Sequence, residues 1–333
     1  MNTILRSHGS GKGLNDLLDT IVLPALFPSG TAVLEDAAVL DLDKGRIAFT
    51  TDSFVIDPLE FPGGDIGKLA ACGTINDLAM MGAVPGYLSV SLICEEGLDA
   101  AVLSRMLGSL RAVCVETGVA IVCGDTKVVE HGKADRLFIN TAGIGTIPTG
   151  RKLTAAGVEA GDAIIVSGPI GQHGIAVLAA RKGLGFASSV ASDCAPLNGL
   201  VEILLSAAPG ARALRDATRG GCAAVLTEIA KSSDVTIVLD DQTIPVSDAV
   251  RGACSYLGID PLQVANEGRF VAAVPADQAA AAVKALNKHE LGCGACVIGA
   301  AQPKSRFPLL LKTSIGGIRP IDVPSGELLP RIC

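Results

Sequence analysis

The sequence predicts an α/β protein of the α+β kind, divided into two domains. Three observations carry that expectation. The 333 residues exceed what one hydrophobic core usually organises. Both halves alternate strand-like and helix-like apolar patterns. A polar, glycine-containing stretch, PTGRKLTAAGVEAGD at 148–162, separates them. The expected divisions are 1–150, 151–320 and a tail, 321–333.

The first half opens with HGSGKGLNDLL at 8–18, glycines before a helix. RIAFTTDSFVI at 46–56 and RLFINTAGIGTI at 136–147 alternate as strands do. Between them, 67–81 and 98–115 repeat apolar residues at helical spacing, each presenting one apolar face to a sheet. Past the separator come strand AIIVSG at 163–168, helix HGIAVLAARKGL, a helix around 195–207, the turn RDATRGG at 215–221, a helix over 222–232 and strand DVTIVLD. From about residue 320 no period persists, so IDVPSGELLPRIC reads as a mobile tail. Fully extended, such a tail spans about 43 Å.

Composition narrows the function. A formal net charge of −7 without a basic block, 3% aromatic residues and no Trp argue against nucleic acid, which needs phosphate neutralisation and base stacking. Charge or glycine interrupts every apolar stretch before membrane-spanning length, and no signal-peptide core is present, so a cytoplasmic protein is expected. Ten scattered Cys then read as reduced thiols, mostly core. Cys293 and Cys296 form a close pair lacking the partners of a zinc site.

Four carboxylates recur at strand ends and turns: Asp36, Asp52, Asp77 and Asp125. Carboxylates gathered from separate elements suit Mg²⁺ holding a nucleotide's phosphates; each alone equally suits a cap or turn. Asp77 stands out, because with Asn76 it interrupts an apolar helical run where an unpartnered carboxylate is costly. Gly9, Gly11 and Gly13 offer backbone donors to an anion without matching a Walker loop, or simply form a flexible terminus. SGPIGQHGI at 167–175 and RDATRGG, with Arg219, suit either phosphate or tight turns. Lys127, after a strand, can neutralise a transferred phosphoryl group or merely be solvated; Glu267 in VANEGRF can be a base or a loop residue. The chain ends on Cys333, and an accessible Cys is more often kept for reactivity than for packing.

Taken together, HGSG, TTDSFVIDP, FPGGDIGKLAACGTINDLAMMGAVP, GDTKVV, FINTAGIG, RDATRGG, NEG and the terminal PRIC resemble the hydrogenase maturation protein HypE family. That family lies within the superfamily of aminoimidazole ribonucleotide synthetase and selenophosphate synthetase. Lys12 departs from the pattern, which more often has a second Gly after HGSG.

The resemblance implies a two-domain aminoimidazole ribonucleotide synthetase-like fold, an N-terminal domain that dimerises through its sheet, ATP near that interface and a movable tail. It implies that Asp36, Asp52, Asp77 and Asp125 serve Mg²⁺ and ATP, with Gly9, Ser10, Gly11, Thr126 and Arg219 also binding nucleotide. Lys127, Glu267 and Cys333 become the catalytic candidates. It further implies a HypF-family carbamoyl donor, a HypC–HypD-type iron scaffold as acceptor, and ATP-dependent dehydration of a thiocarboxamide on Cys333 to a thiocyanate, the source of the cyanide ligand of nickel-iron hydrogenases. Two other readings remain open from the residues: a small-molecule kinase on the same scaffold, and a thiol carrier with a regulatory nucleotide site.

Overall fold

The computed structural model describes residues 16, 19, 20, 37–42, 45–181, 189–323, 329 and 331–333. Two sheets organise it. The first has the order β1-β2-β7-β5-β6, built from β1 (Ala38–Leu42), β2 (Gly45–Phe54), β5 (Val84–Glu95), β6 (Ala120–Val129) and β7 (Leu137–Ile147). All its pairs are antiparallel except β5 with β6, which are joined by α2 (Ala100–Thr117), the crossover that a parallel pair requires. A small ribbon of β3 (Glu60–Phe61) and β4 (Gly64–Asp65) leads into α1 (Ile66–Met80).

The second sheet runs β14-β13-β10-β12-β8-β11-β9. Its strands are β8 (Ala163–Val166), β9 (Ala213–Asp216), β10 (Val235–Asp240), β11 (Phe270–Val274), β12 (Cys296–Pro303), β13 (Leu309–Lys312) and β14 (Ile318–Pro320). Around it lie α3 (Gln172–Ala180), α4 (Asn198–Ala207), α5 (Gly221–Ser232), α6 (Asp248–Leu257) and α7 (Ala276–Leu286). From residue 45 onward the strands and helices read from the sequence are present within a few residues, whereas the helix read after Gly13 falls largely outside the described residues. The apolar strand β5 and the strand β6 were not delimited by periodicity, and Asp125 and Lys127 lie inside β6, not after a strand.

Helix α1 overturns the expectation of a single apolar face, being buried along nearly its whole length. It is pressed between β2 and β7 on one side and β9 and α4 on the other, so it belongs to both halves. Asp65 caps its start, accepting from the Gly67 and Lys68 amides at 2.8 and 3.0 Å. Glycines permit the crowding: a Cβ at Gly67 would lie 1.8 Å from the Met106 carbonyl oxygen, and one at Gly73 2.9 Å from the Phe54 ring. Buried Asn76 stitches the halves, donating to the Ala195 carbonyl at 3.2 Å and accepting from the Leu197 amide at 2.7 Å. The largest apolar cluster accordingly draws on both halves, from Phe54, Ile66 and Leu69 to Ile175, Val250 and Ile332. Among the described residues no helix is long and apolar enough to cross a membrane.

Candidate active site

Where α1, the end of β2 and the start of α5 converge, a cavity of about 590 Å³ opens. Asp52, Asp77, Arg219, Glu267 and Cys333 all line it, with Asp216 beside them. Asp52 comes from β2, on the face that carries Thr50 and Phe54 toward α1. Asp77 comes from the last turns of α1 and accepts from the Thr50 hydroxyl at 2.8 Å. The two carboxyls share a hydrogen bond, and burial pushes Asp52 above the usual carboxylate range while Asp77 and Arg219 pull the other way. Two carboxyls in such contact hold one proton between them unless a cation takes its place. A pair of carboxylates facing an open cavity is the donor set that Mg²⁺ accepts when water and phosphate complete its shell, so these residues fit the ion.

RDATRGG forms the opposite wall. Gly220 and Gly221 have φ of 83° and 61°, and a Cβ on Gly221 would lie 2.5 Å from the Leu262 carbonyl oxygen, so the turn reading holds here. The turn launches α5 without any side-chain cap, and α5 then lines the cavity through Ala224 and Val225. The Gly221 amide is spent on the Thr218 carbonyl at 2.9 Å, so the part of this wall suited to phosphate is the Arg219 guanidinium. In SGPIGQHGI the glycines serve packing: Gly171 has φ of 85°, and a Cβ on Gly174 would lie 2.6 Å from Val264 and 2.9 Å from Leu329.

The Asn-Glu-Gly segment divides its labour. Asn266 fixes the loop, donating to the Ala217 carbonyl at 2.8 Å and accepting from the Gly171 amide at 2.7 Å. Gly268 lets the segment at Asp193 close over it, since a Cβ there would sit 1.8 Å from the Asp193 carbonyl oxygen. Glu267 is thereby held in the cavity wall, buried, with Oε1 lacking any hydrogen-bond partner. Burial first, then electrostatic interaction with Cys194, Asp216, Asp193 and Asp52, raises it well above an ordinary carboxyl. Asp216, at the end of β9, is pushed up to about 6 by burial, against the pull of Arg215 and with a further push from Asp52.

The tail ends inside this site. The sequence suggested an exposed thiol; instead Cys333 is half-buried and accepts from the Arg219 guanidinium, Nη2 to Sγ 2.9 Å. Burial raises its thiol to about 11, with Arg219 opposing. Residues 324–328 and 330 of the tail lie outside the described residues.

Asp125, Thr126 and Lys127 lie elsewhere. In the sheet, Ser53, Asn140, Ser91 and Asp125 stand in one row, so Asp125 is three strands from β2, roughly 14 Å at the usual strand spacing. Asp125 and Lys127 also pair with Ser91 and exposed Ile93, not with buried Leu92, and therefore face away from α1. Lys127 donates to both Asp125 oxygens at 2.7 Å, which lowers Asp125. One chain thus assembles Asp52 and Asp77 but leaves Asp125 and Lys127 on the opposite face, so the four-carboxylate cluster expected from the sequence is not formed within it. Gly9, Ser10, Gly11 and Asp36 lie outside the described residues. Cys293 is exposed, and the Cys296 thiol donates to the Thr243 carbonyl at 3.2 Å.

Sequence reasoning passed over Asp216, His173 and Arg181. Asp216 stood within a quoted motif but was hidden behind its two arginines. His173 stands in the sequence without metal-ligand spacing, and Arg181 lies unmarked in a helical run.

Similarity to known proteins agrees with this architecture. The N-terminal domain of AIR synthase related proteins matches residues 34–147 and their C-terminal domain residues 159–312, which sets the class. The carbamoyl dehydratase HypE of Rhodobacter capsulatus is 46% identical over 99% of this chain and 97% of its own length. A HypE solved in complex with HypF has a TM-score of 0.85 at 43% identity, covering 91% of this chain and 100% of that one. A HypE solved with ATP has a TM-score of 0.83 at 42% identity, covering 99% and 100%. The chain belongs to the carbamoyl dehydratase HypE family.

Proposed function

We propose that the chain uses ATP to dehydrate a carbamoyl group, carried as a thiocarboxamide on Cys333, to a thiocyanate that supplies the cyanide ligand of a nickel-iron hydrogenase. The observation that carries the reading is the Cys333 sulfur at 2.9 Å from Arg219, in the same cavity as Asp52, Asp77 and Glu267. The carbamoyl carbon, one bond from that sulfur, then lies in the cavity wherever its oxygen and nitrogen turn.

An amide oxygen is a poor leaving group. Its attack on the γ-phosphorus of ATP forms a C–O–P linkage and releases ADP, and one nitrogen proton is lost. Removal of the second nitrogen proton drives its electron pair into the C≡N bond while the C–O bond breaks and inorganic phosphate departs. The sum consumes the elements of one water through ATP.

Asp52 and Asp77 would hold Mg²⁺, which when bound neutralises and orients the phosphates. Arg219 receives phosphate oxygens and also steadies the sulfur. Glu267 accepts nitrogen protons. Burial and acidic neighbours raise its affinity for a proton, and positive charge entering beside Asp52 opposes that shift.

A homodimer completes the reading. β6 is exposed along its length, and Phe49, Tyr87, Ile93 and Ile144 are exposed on the same sheet. An uncovered edge and face of this kind invite pairing. A second copy seated there carries Asp125, Thr126 and Lys127 toward the neighbouring nucleotide. A HypF-type donor loads Cys333, and a HypC–HypD-type scaffold takes the product. The test is infrared spectroscopy of the carbamoylated chain: Mg-ATP should produce a nitrile stretch, lost in Cys333→Ser, whereas a nitrile that persists in that variant refutes the carrier role.

A further inference from the structure

The last residues are held by more than the sulfur. Val55 donates to the Cys333 carbonyl at 3.2 Å and Asp57 to the Arg331 carbonyl at 3.3 Å. Those pairings step by two in opposite directions, so the tail end runs antiparallel to the segment that follows β2 beyond Phe54. Arg331 returns a bond from Nε to the Val55 carbonyl at 3.2 Å and reaches Asp135 at 2.8 Å. Its φ of 53° lies in the left-handed region, which a non-glycine residue keeps only when fastened.

Two side chains from α3 and its end provide the fastening. Arg181 donates from Nε to the Asp57 carbonyl at 2.9 Å and from Nη2 to the Arg331 carbonyl at 2.7 Å, so its planar fork bridges the tail and the segment it lies on. His173 is fully buried, with Nε2 at 2.5 Å from the Ile332 carbonyl oxygen and Nδ1 at 2.8 Å from Ser192 Oγ. A carbonyl only accepts, so Nε2 carries the proton. Ser192 Oγ accepts from the Cys194 amide at 3.0 Å and turns its hydroxyl proton to Nδ1, which fixes that tautomer. Burial lowers the imidazole's basicity, consistent with a neutral ring. Phe61 packs edge-on against it, centroids 5.3 Å apart.

We propose that His173 and Arg181 are positioning residues that together form a main-chain latch, holding residues 331–333 docked against residues 55–57 and aiming the Cys333 sulfur at the cavity. The inference rests on the reading that Cys333 carries the reacting group. Both latch residues grip carbonyls, so they register where the chain lies, whereas buried Ile332 and Leu329, against Gly174, supply the contacts that depend on side chains. Loading by a donor requires both carbonyls to be released together.

The test reads docking without reading chemistry. Alkylation of Cys333 by iodoacetamide, located by mass spectrometry, is followed in the full-length chain, in His173→Leu, His173→Gln and Arg181→Met, with melting and ATP binding recorded for each. Losing one such hydrogen bond should raise the alkylation rate about tenfold, equivalent to roughly 1.4 kcal/mol. The Gln amide can donate where Nε2 does, so His173→Gln should restore slow alkylation. Arg181 is only part-buried and serves if His173→Leu fails to fold. Wild-type alkylation in a folded Arg181→Met overturns the latch. Faster alkylation with undiminished single-turnover dehydration of the carbamoylated chain overturns the positioning role. Nitrile formation surviving in Cys333→Ser instead strikes the carrier reading while leaving the docking measurement intact.

Discussion

Asp52 and Asp125 both occupy strands of one sheet, both were read from the same sequence signal, and the fold treats them oppositely. Asp52 faces α1, lies in the cavity wall and is raised by burial. Asp125 faces outward on an exposed edge strand and is lowered by the Lys127 ammonium. A carboxylate on the buried face opposes folding until a cation or proton joins it, and one on the open face does not. The comparison separates a half-site built within one chain from groups on the opposite face, which only the proposed homodimer would bring to a neighbouring site.

The difference can be broken most forcefully at the thiol. Cys333→Ser should abolish thiocyanate formation with little change in melting temperature, because the side chain is at the chain end; retained turnover would contradict the account. Next comes Asp77→Asn, which removes one of the paired carboxylates. Mg-dependent ATP affinity should fall by at least about tenfold in calorimetric titration, whereas unchanged affinity would remove Asp77 from the phosphate site.

The acidic wall then gives a pH dependence with a definite sign. Asp216 is raised in the folded chain, so between about pH 4 and 6 the folded state holds a proton that the unfolded state has lost, and stability falls as pH rises through that window. Glu267 is raised as well and contributes a decline of the same sign. Asp216→Asn should therefore stabilise the ligand-free protein at pH 7 by up to about 3 kcal/mol, and far less at pH 4, in denaturant titrations. Equal effects at both pH values would mean that the carboxyl carries no such penalty. Glu267→Gln should likewise raise the melting temperature at pH 8 while suppressing dehydration. The smallest effect belongs to the exposed side: Asp125→Asn should shift stability by less than about 0.5 kcal/mol. Its loss of activity should be rescued in mixed dimers with an Asp52→Asn chain, since one of the two composite sites regains both groups. No rescue would place Asp125 outside a shared site.

Much of the scaffold could be read along the chain because alternation and helical spacing are local properties. β2, β7 and α5 announced themselves in that way. The all-round burial of α1 was written in its composition, where beyond Lys68 in the first turn Asn76 and Asp77 are the strongly polar breaks, but the partner that buries its second face comes from residues near 195–197 and 213–216, distant in sequence. Glu267 was visible as an acid beside a glycine turn; its burial depends on Gly268 admitting the Asp193 backbone, which no local pattern reveals. The tail looked unstructured because its partners, residues 55–57, His173 and Arg181, lie well over a hundred residues away. Side-chain orientation across a sheet was the remaining blind spot, and it divided the carboxylates that sequence grouped together.

The most direct measurement is intact-peptide mass spectrometry of the carbamoylated C-terminal peptide before and after a single turnover with Mg-ATP. Loss of one water at Cys333, accompanied by one phosphate released per thiocyanate, is the expected result. Phosphate release with the carbamoyl mass unchanged would contradict dehydration on this sulfur.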